Sequence, residues 1–332
     1  MLIVCENSAM KRILLVKTSS LGDVIHNLPV VTDILQHYPK AQIDWVVEEG
    51  FADIPKLHPA VNHVFTVAVR RWRKQLFSKQ TWQEILAFKN HVSKAHYDLI
   101  IDTQGLIKSA IMTSFAQGQK YGLNKHSARE PLASYGYNHK YNVPRDQHAV
   151  VRNRELAAYA CGYAKPNNAP DYGLVEVKTD DFIDLPEKFI IGLHGTSKES
   201  KLWPTDLWIE LVAALANQQC TLVLPWASDA EHQRAKEIAA DHSNAIVLPR
   251  LSITQLAAVT NRAWAAVGVD TGLSHLSAAL NIPTVSIFTD TNPARTGVMA
   301  SADGQVINLG GVKQIPSVAS VINAIQQVTS PD

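Results

Sequence analysis

Short apolar runs rich in valine and isoleucine recur along the chain at positions 13–16, 43–47, 64–67, 99–101, 189–193, 221–224, 245–248, 265–269 and 284–288. Runs of this length without polar alternation are the pattern of strands buried on both faces, as in a parallel sheet. Between many of them lie segments at helical spacing, such as Leu207, Ile209, Leu211, Val212 and Leu215, or Val318, Val321, Ile322 and Ile325 near the end. The alternation predicts a doubly wound α/β architecture.

A chain of 332 residues is long for one core and comfortable for two domains. The stretch from Tyr163 to Lys188 holds Pro166, Asn167, Asn168, Pro170, Gly173 and Pro186 with Asp180, Asp181 and Asp184, and reads as a linker with an edge strand in it. The expected division is therefore a first α/β domain over 10–165, a linker over 166–187, a second α/β domain over 188–316 and a final helix over 317–332. That helix could dock on either half, a return to the first domain included. A cleft between the halves is the default binding site. Residues 1–9 fit no element, and Met10 reads as an alternative start. There is no short-period repeat and no low-complexity tract.

The charge balance, 31 Lys+Arg against 30 Asp+Glu, gives no global field of the kind a nonspecific nucleic-acid binder needs, so nucleic acid is not an expected partner. Three scattered cysteines, Cys5, Cys161 and Cys220, fit neither a disulfide framework nor a zinc site and point to a reducing compartment. No stretch approaches the roughly 18 apolar residues of a membrane-spanning helix, so membrane contact would be peripheral. The run after Met10-Lys11-Arg12 is broken by Lys17, which makes it a first strand rather than a signal peptide. Walker-A, Gly-x-Gly-x-x-Gly, Gly-x-Ser-x-Gly and His-Glu-x-x-His signatures are absent, as is an Asp-x-Asp metal motif. Phosphate charge would then be met by protein groups rather than a metal.

Three polar segments follow predicted strands, where open α/β sheets place their chemistry. The first, Lys17-Thr-Ser-Ser-Leu-Gly-Asp23, offers a carboxylate next to Ser19, Ser20 and Gly22, residues small enough for a sugar or phosphate to approach. Gly22 would permit a tight turn, and Asp23 is either a base or the N-cap of the helix that follows, which Pro29 bends or restarts. The second, Asp270-Thr271-Gly272-Leu-Ser-His275, opens a helix whose unpaired N–H groups suit a nucleotide phosphate. His275 lies one turn in; Asp270 as a cap and His275 as a packed side chain are the plain alternatives. The third, His194-Gly-Thr196-Ser197-Lys-Glu-Ser-Lys201-Leu-Trp-Pro204, carries Lys201 as a candidate clamp for a diphosphate leaving group, or as a solvated loop lysine. Glu231, after the run 221–224, could accept hydrogen bonds from ribose hydroxyls. Arg70, Arg71, Arg73, Lys74 and Lys79 form a local basic patch suited to an anionic glycolipid or a membrane surface, and Arg129 stands apart.

In order along the chain, Lys17 to Asp23, Arg70-Arg-Trp-Arg-Lys74, Asp102-Thr-Gln-Gly-Leu-Ile-Lys108-Ser, Ala128-Arg-Glu-Pro-Leu-Ala-Ser, Lys201-Leu-Trp-Pro and Asp270 to His275 resemble the lipopolysaccharide heptosyltransferases. The resemblance covers nearly the whole chain from Met10. It implies a GT-B architecture of two facing Rossmann-like domains, acceptor on the first and nucleotide-sugar on the second. It further implies inverting transfer of L-glycero-D-manno-heptose from ADP-heptose to the inner Kdo of Kdo2-lipid A, without a cofactor. The setting it implies is peripheral contact with the cytoplasmic face of a Gram-negative inner membrane.

By the same resemblance Asp23 is the base. Ser19, Ser20, Gly22, Thr196, Ser197, Lys201, Glu231, Asp270, Thr271, Gly272 and His275 line the donor site, with Lys201, Thr196 and Ser197 on the diphosphate. Arg70, Arg71, Arg73, Lys74 and Arg129 meet the acceptor's carboxylates or phosphates. The local departure at Ala227-Ser-Asp-Ala leaves either Glu231 or Asp229 to face the ribose. Another heptosyltransferase with a different acceptor, a nucleotide-sugar epimerase and a noncatalytic nucleotide-binding protein are the competing functions.

Overall fold

The computed structural model describes residues 10–175 and 183–330, which divide into two compact units, the first ending at Gly173 and the second starting at Leu174. In the first unit β1 (Arg12–Val16), β2 (Gln42–Glu48), β3 (Val61–Val67), β4 (His96–Asp102), β5 (Gln117–Leu123) and β6 (His139–Tyr141) form one sheet in the order β3-β2-β1-β4-β5-β6. In the second, β7 (Phe189–Leu193), β8 (Thr221–Leu224), β9 (Ala245–Val247), β10 (Ala265–Val269), β11 (Thr284–Phe288) and β12 (Val306–Gly310) form the order β12-β11-β10-β7-β8-β9. All pairings in both sheets are parallel. The two orders are the same once each unit's strands are counted from its own first strand. Each reverses direction beside that strand, between β1 and β4 and between β7 and β10. Such a reversal opens a crevice at the carboxyl ends of the strands, the usual ligand position in doubly wound sheets.

The central strands are fully buried along their apolar runs, with Ile13 paired to both Ile43 and Leu99, and Ala266 to both Ile191 and Thr284. Sequence inspection did not place β5, β6 and β12. Two of these are sheet edges and the third adjoins one, so their residues meet solvent on one side and the continuous apolar signal is lost.

Two expectations about the connections are corrected. Much of the expected linker belongs to the first unit's body: Arg154, buried and paired with Asp33 at 2.7 Å, also donates to the Asn168 carbonyl at 2.7 Å. Gly173 closes this stretch at φ 62°, so near His58 that a Cβ would lie 2.1 Å from His58 Nε2. Beyond the break Ile183 and Leu185 already pack in the second unit's core with Phe189 and Ile191. No strand occurs among the described residues of 163–188; Asp180 and Asp181 lie outside them, as do residues 1–9.

The helix Val318–Thr329 packs in the core of the second unit. Its stripe of Val318, Val321, Ala324, Ile325 and Val328 is buried in the same cluster as Trp203, Trp208 and Leu211, which consumes the helix's apolar face.

Candidate active site

At the end of β1 the chain turns through Thr18 and Ser19 into the short helix Leu21–Ile25. Ser20 is its N-cap, so Gly22 lies inside the first turn instead of forming a turn before it. Asp23 is the third helical residue and not the cap. Its Oδ2 accepts hydrogen bonds from the Ser20 backbone N–H at 2.8 Å and from Ser20 Oγ at 3.0 Å, the reciprocal arrangement of a helix N-terminal box. Both bonds fall on one oxygen, which leaves Oδ1 of a half-buried carboxylate for another partner. Pro29 sits in the first turn of a second helix, Leu28–His37.

Residues from the neighbouring strand hold this loop. Gln104, just past β4, accepts from the N–H groups of Thr18 and Ser19 through Oε1, at 2.9 and 3.1 Å, and returns Nε2 to the Ser19 carbonyl at 2.6 Å. Asp102 in turn fixes the Gln104 loop, accepting from its N–H at 2.8 Å and from Tyr137 Oη at 2.7 Å; burial raises the Asp102 pKa against these bonds. Lys17 is buried beneath, donating to the Thr103 carbonyl at 3.0 Å and Asn153 Oδ1 at 3.3 Å. Burial lowers its pKa, and the carboxylates of Asp23 and Asp102 oppose that shift.

A set of cations surrounds the same loop. Lys108 Nζ donates to Ser19 Oγ at 2.7 Å. Its pKa is lowered, first by burial, then raised by Glu48, lowered by Arg70 and Arg73 and raised by Asp23, so these five side chains share one electrostatic neighbourhood. Arg73 and Lys74 are exposed and form no ion pair among the described residues. Arg70 lies over the Phe51 ring at 5.1 Å and, through its backbone N–H, on Glu48 Oε1 at 2.9 Å. A cavity of about 400 Å³ opens here, lined by Glu48, Phe51, Arg70 and Lys74 among others. Arg129 joins through the backbone: Gly105, at φ 65°, lets Ala128 and Arg129 come close, and the Glu130 N–H donates to the Gly105 carbonyl at 3.1 Å.

Arg71 differs from its neighbours. It is forked between Glu49, at 3.0 Å from Nη2, and Glu84, at 2.9 Å from Nη1. The bonds from Arg71 and Trp72 pull the Glu84 pKa down to about 2. The expectation of Arg71 as an open acceptor cation therefore meets a guanidinium already matched by two carboxylates.

In the second unit, the loop after β7 and the loop after β10 meet at the reversal point. Lys201, at the end of a 3-10 turn over Glu199–Lys201, pairs its Nζ with Asp270 Oδ2 at 2.7 Å, both side chains largely buried. Thr291 Oγ1 donates to the same carboxylate oxygen, and Thr196 Oγ1 donates to the Asp270 carbonyl at 2.9 Å. Asp270 thus aims the lysine and ties three loops together. Thr271 is the N-cap of the helix Gly272–Ala279, in which His275 is buried. Pro204 is the N-cap of Thr205–Ala216, one residue ahead of the helix proper. Ser197 is exposed, while His194 is buried with its Nε2 on the Pro225 carbonyl at 3.1 Å; burial pushes its pKa down to about 4.

Of Glu231 and Asp229, Glu231 is the one that stands against the loop after β7. Glu231 Oε2 accepts from the N–H groups of Ala227 and Ser228, at 2.8 and 3.1 Å, as the third residue of the helix Asp229–Ala239. A Cβ on Gly195 would lie 2.5 Å from its Oε1, so glycine at 195 is what admits this carboxylate against the Thr196 loop. Lys17, Glu48, Gln104 and Lys108 were not assigned as site residues from sequence. Lys108 stood in a segment already singled out, and Glu48 directly follows the predicted strand over 43–47.

Two doubly wound units in one chain, one presenting a carboxylate among cations and the other a lysine beside a helix N-terminus, have the architecture of the GT-B nucleotide-sugar glycosyltransferases. The family model described as glycosyltransferase family 9 (heptosyltransferase) matches residues 85–320. The chain is 49% identical over 287 residues to lipopolysaccharide heptosyltransferase 1 of Pseudomonas aeruginosa, covering 86% of this chain and 81% of that protein. Identity to the Escherichia coli K12 protein of the same name is 44%, covering 86% and 90%. The solved structure of E. coli heptosyltransferase WaaC with ADP superposes with a TM-score of 0.88 at 41% identity, over 96% of this chain and 99% of that one. The chain belongs to glycosyltransferase family 9, the heptosyltransferases.

Proposed function

We propose that this protein transfers L-glycero-D-manno-heptose from ADP-L-glycero-D-manno-heptose to the inner Kdo of Kdo2-lipid A, inverting the anomeric centre, in lipopolysaccharide inner-core synthesis. The observation that carries the reading is Asp23: a half-buried carboxylate at the first sheet's reversal point, with Oδ2 committed to Ser20 and cations around it. Oδ1 takes the proton of the acceptor hydroxyl as the new carbon–oxygen bond forms and the bond to the diphosphate breaks. Arg70, Arg73, Lys74, Lys108 and Arg129 receive the acceptor's carboxylates and phosphates. Arg71 supports them from its place between Glu49 and Glu84.

On the donor side, Lys201, the N–H groups at the start of Gly272–Ala279, and the hydroxyls of Thr196 and Ser197 offset the charge that builds on the leaving ADP; Glu231 Oε1 holds the ribose. A relative at 40% identity is described in complex with ADP-2-deoxy-2-fluoro heptose, which supports an ADP-linked heptose as donor. No metal is required in this scheme, and turnover should persist in EDTA. The setting is the cytoplasmic face of a Gram-negative inner membrane, with peripheral contact; among the described residues no helix is long and apolar enough to cross a bilayer.

Mass spectrometry of products from ADP-heptose and Kdo2-lipid A tests donor, acceptor and reaction together. The expected product is the acceptor plus one heptose, formed by the native protein and not by Asp23→Ala, which should still bind ADP. Conversion of donor in the absence of acceptor would make the protein an epimerase, and transfer retained in Asp23→Ala would remove Asp23 as the base.

A further inference from the structure

The first unit carries an apolar patch that its own core does not use. Phe77 is fully exposed, and Leu76, Trp82 and Leu86 are each more than half exposed. They lie on one stretch of chain: Trp82 Nε1 donates to the Leu76 carbonyl at 2.8 Å and so folds the loop 74–78 against the start of helix Lys79–Val92, Phe77 follows Leu76, and Leu86 lies one turn beyond Trp82. On that helix Lys79, Trp82, Leu86 and Lys89 follow one another at intervals of three or four residues and share an outward face, while Thr81, Phe88 and Val92 are buried on the other. The helix's one acid, Glu84, is engaged by Arg71 and Trp72. Arg73, Lys74, Lys79 and Lys89 form no ion pairs among the described residues.

We propose that this face docks the protein on an anionic phospholipid bilayer. Phe77 and Leu76, at the tip of the loop, enter the acyl boundary. Trp82 takes the headgroup level, where an aromatic ring with one polar atom is favoured, and Leu86 continues the apolar line along a helix lying in the membrane plane. The lysines and Arg73 reach the lipid phosphates from both ends of the patch. A second copy of this chain fits the surface poorly: a two-fold contact would set the four free cations against their own equivalents, and four apolar side chains fall short of the roughly 800 Å² per partner of a standard interface. The inference rests on the reading of the acceptor as a lipid, since the loop continues directly from the Arg70–Lys74 cations proposed to receive it.

The test is co-sedimentation of the full chain with phosphatidylethanolamine–phosphatidylglycerol vesicles, native against a Phe77→Ser/Leu86→Ser variant, with Val312→Ser/Ile315→Ser as a control from exposed apolar positions in the second unit. Native protein and control should bind alike and release at high salt. The loop variant should partition more weakly by about tenfold or more per side chain replaced. It should keep native transfer rates on an acceptor saccharide stripped of its acyl chains, and lose rate only on acceptor embedded in vesicles.

Vesicle binding by the loop variant equal to native would overturn the proposal. So would loss of transfer to the deacylated acceptor, which would put these residues in the acceptor site, or a native dimer in light scattering that the variant converts to monomer. If the native protein binds vesicles through this face but transfers no heptose to the deacylated acceptor, the docking surface stands and the acceptor assignment falls.

Discussion

The pairing of Lys201 with Asp270 has a consequence that separates a charge effect from a merely structural one. With Nζ 2.7 Å from Asp270 Oδ2, a diphosphate oxygen bound on the far side of the ammonium would stand about 5 Å from the carboxylate. Replacing Lys201 by Met removes a charge-assisted hydrogen bond of about 2 kcal/mol. It also exposes the phosphate to an uncompensated carboxylate, a repulsion of about 3 kcal/mol at an effective dielectric near 20. The second effect disappears when Asp270 is also neutralised. Lys201→Met/Asp270→Asn should therefore bind ADP roughly 100-fold more tightly than Lys201→Met alone, reversing the usual additivity of two damaging changes. Asparagine keeps an acceptor for Thr291 Oγ1, so the loop tie survives. Isothermal titration with ADP reads this directly, and because ADP carries no heptose, contacts to the sugar do not enter. Equal or weaker binding by the double variant would refute the argument that Asp270 acts on the phosphate through Lys201.

Three further outcomes follow from the same geometry. Lys17→Met removes the buried ammonium that ties the end of β1 to the Thr103 carbonyl and Asn153 Oδ1, so kcat/KM for the acceptor should fall about tenfold or more while ADP affinity holds; an unchanged kcat/KM would mean that Lys17 does not position the Asp23 loop. Gly195→Ala drives a Cβ into Glu231 Oε1, and Glu231 cannot swing aside without giving up two backbone bonds of about 1 kcal/mol each, so donor KM should rise while acceptor KM holds; unchanged donor KM would remove Glu231 from the ribose. Burial holds both His58 and His194 at about 4, below the ordinary 6.5. The unfolded chain then takes up protons through pH 6.5 that the folded one refuses until about 4, so stability is complete above 6.5 and falls toward 4, by about 2 kcal/mol per histidine between pH 7 and 5. Urea unfolding should show that fall, reduced in His194→Gln; an equal fall in the variant would place its origin elsewhere.

What the sequence revealed, and what it did not, divides along the line between local and non-local information. Strand-loop-helix segments such as Lys17 to Asp23 are written consecutively, so their place at a strand end could be read directly. The role of Lys108 could not, because it depends on β4 lying beside β1 and is realised by a bond to Ser19, 89 positions away. The same holds for Thr196, whose partner Asp270 is 74 positions distant. Arg71 read as one more cation in a basic run; only the fold brings Glu49 and Glu84 to it. The small corrections at Gly22 and Asp23 have a local cause. Ser and Asp both suit helix N-termini, and the pattern Ser20-x-x-Asp23 fits a reciprocal box better than a single cap.

The two units also explain one another. They share a strand order and place their polar loops at the same topological point, yet the charge arrangement is inverted. In the first, a carboxylate, Asp23, sits within a ring of cations that includes Lys17 and Lys108; in the second, an ammonium, Lys201, is held by a carboxylate next to a helix N-terminus. Each arrangement suits the proton and charge traffic of its half-reaction. A general base needs a carboxylate oxygen open to the acceptor hydroxyl, and in the proposed reaction that oxygen would be Asp23 Oδ1, which Ser20 leaves unused. A leaving diphosphate gains charge as its bond breaks, and a lysine already aimed by Asp270 would meet it without rearrangement. The fold alone, common to many activities, would not have distinguished these roles. Under the proposed transfer, the opposite signs of charge at equivalent points of two similar sheets suit one unit to the acceptor and the other to the nucleotide.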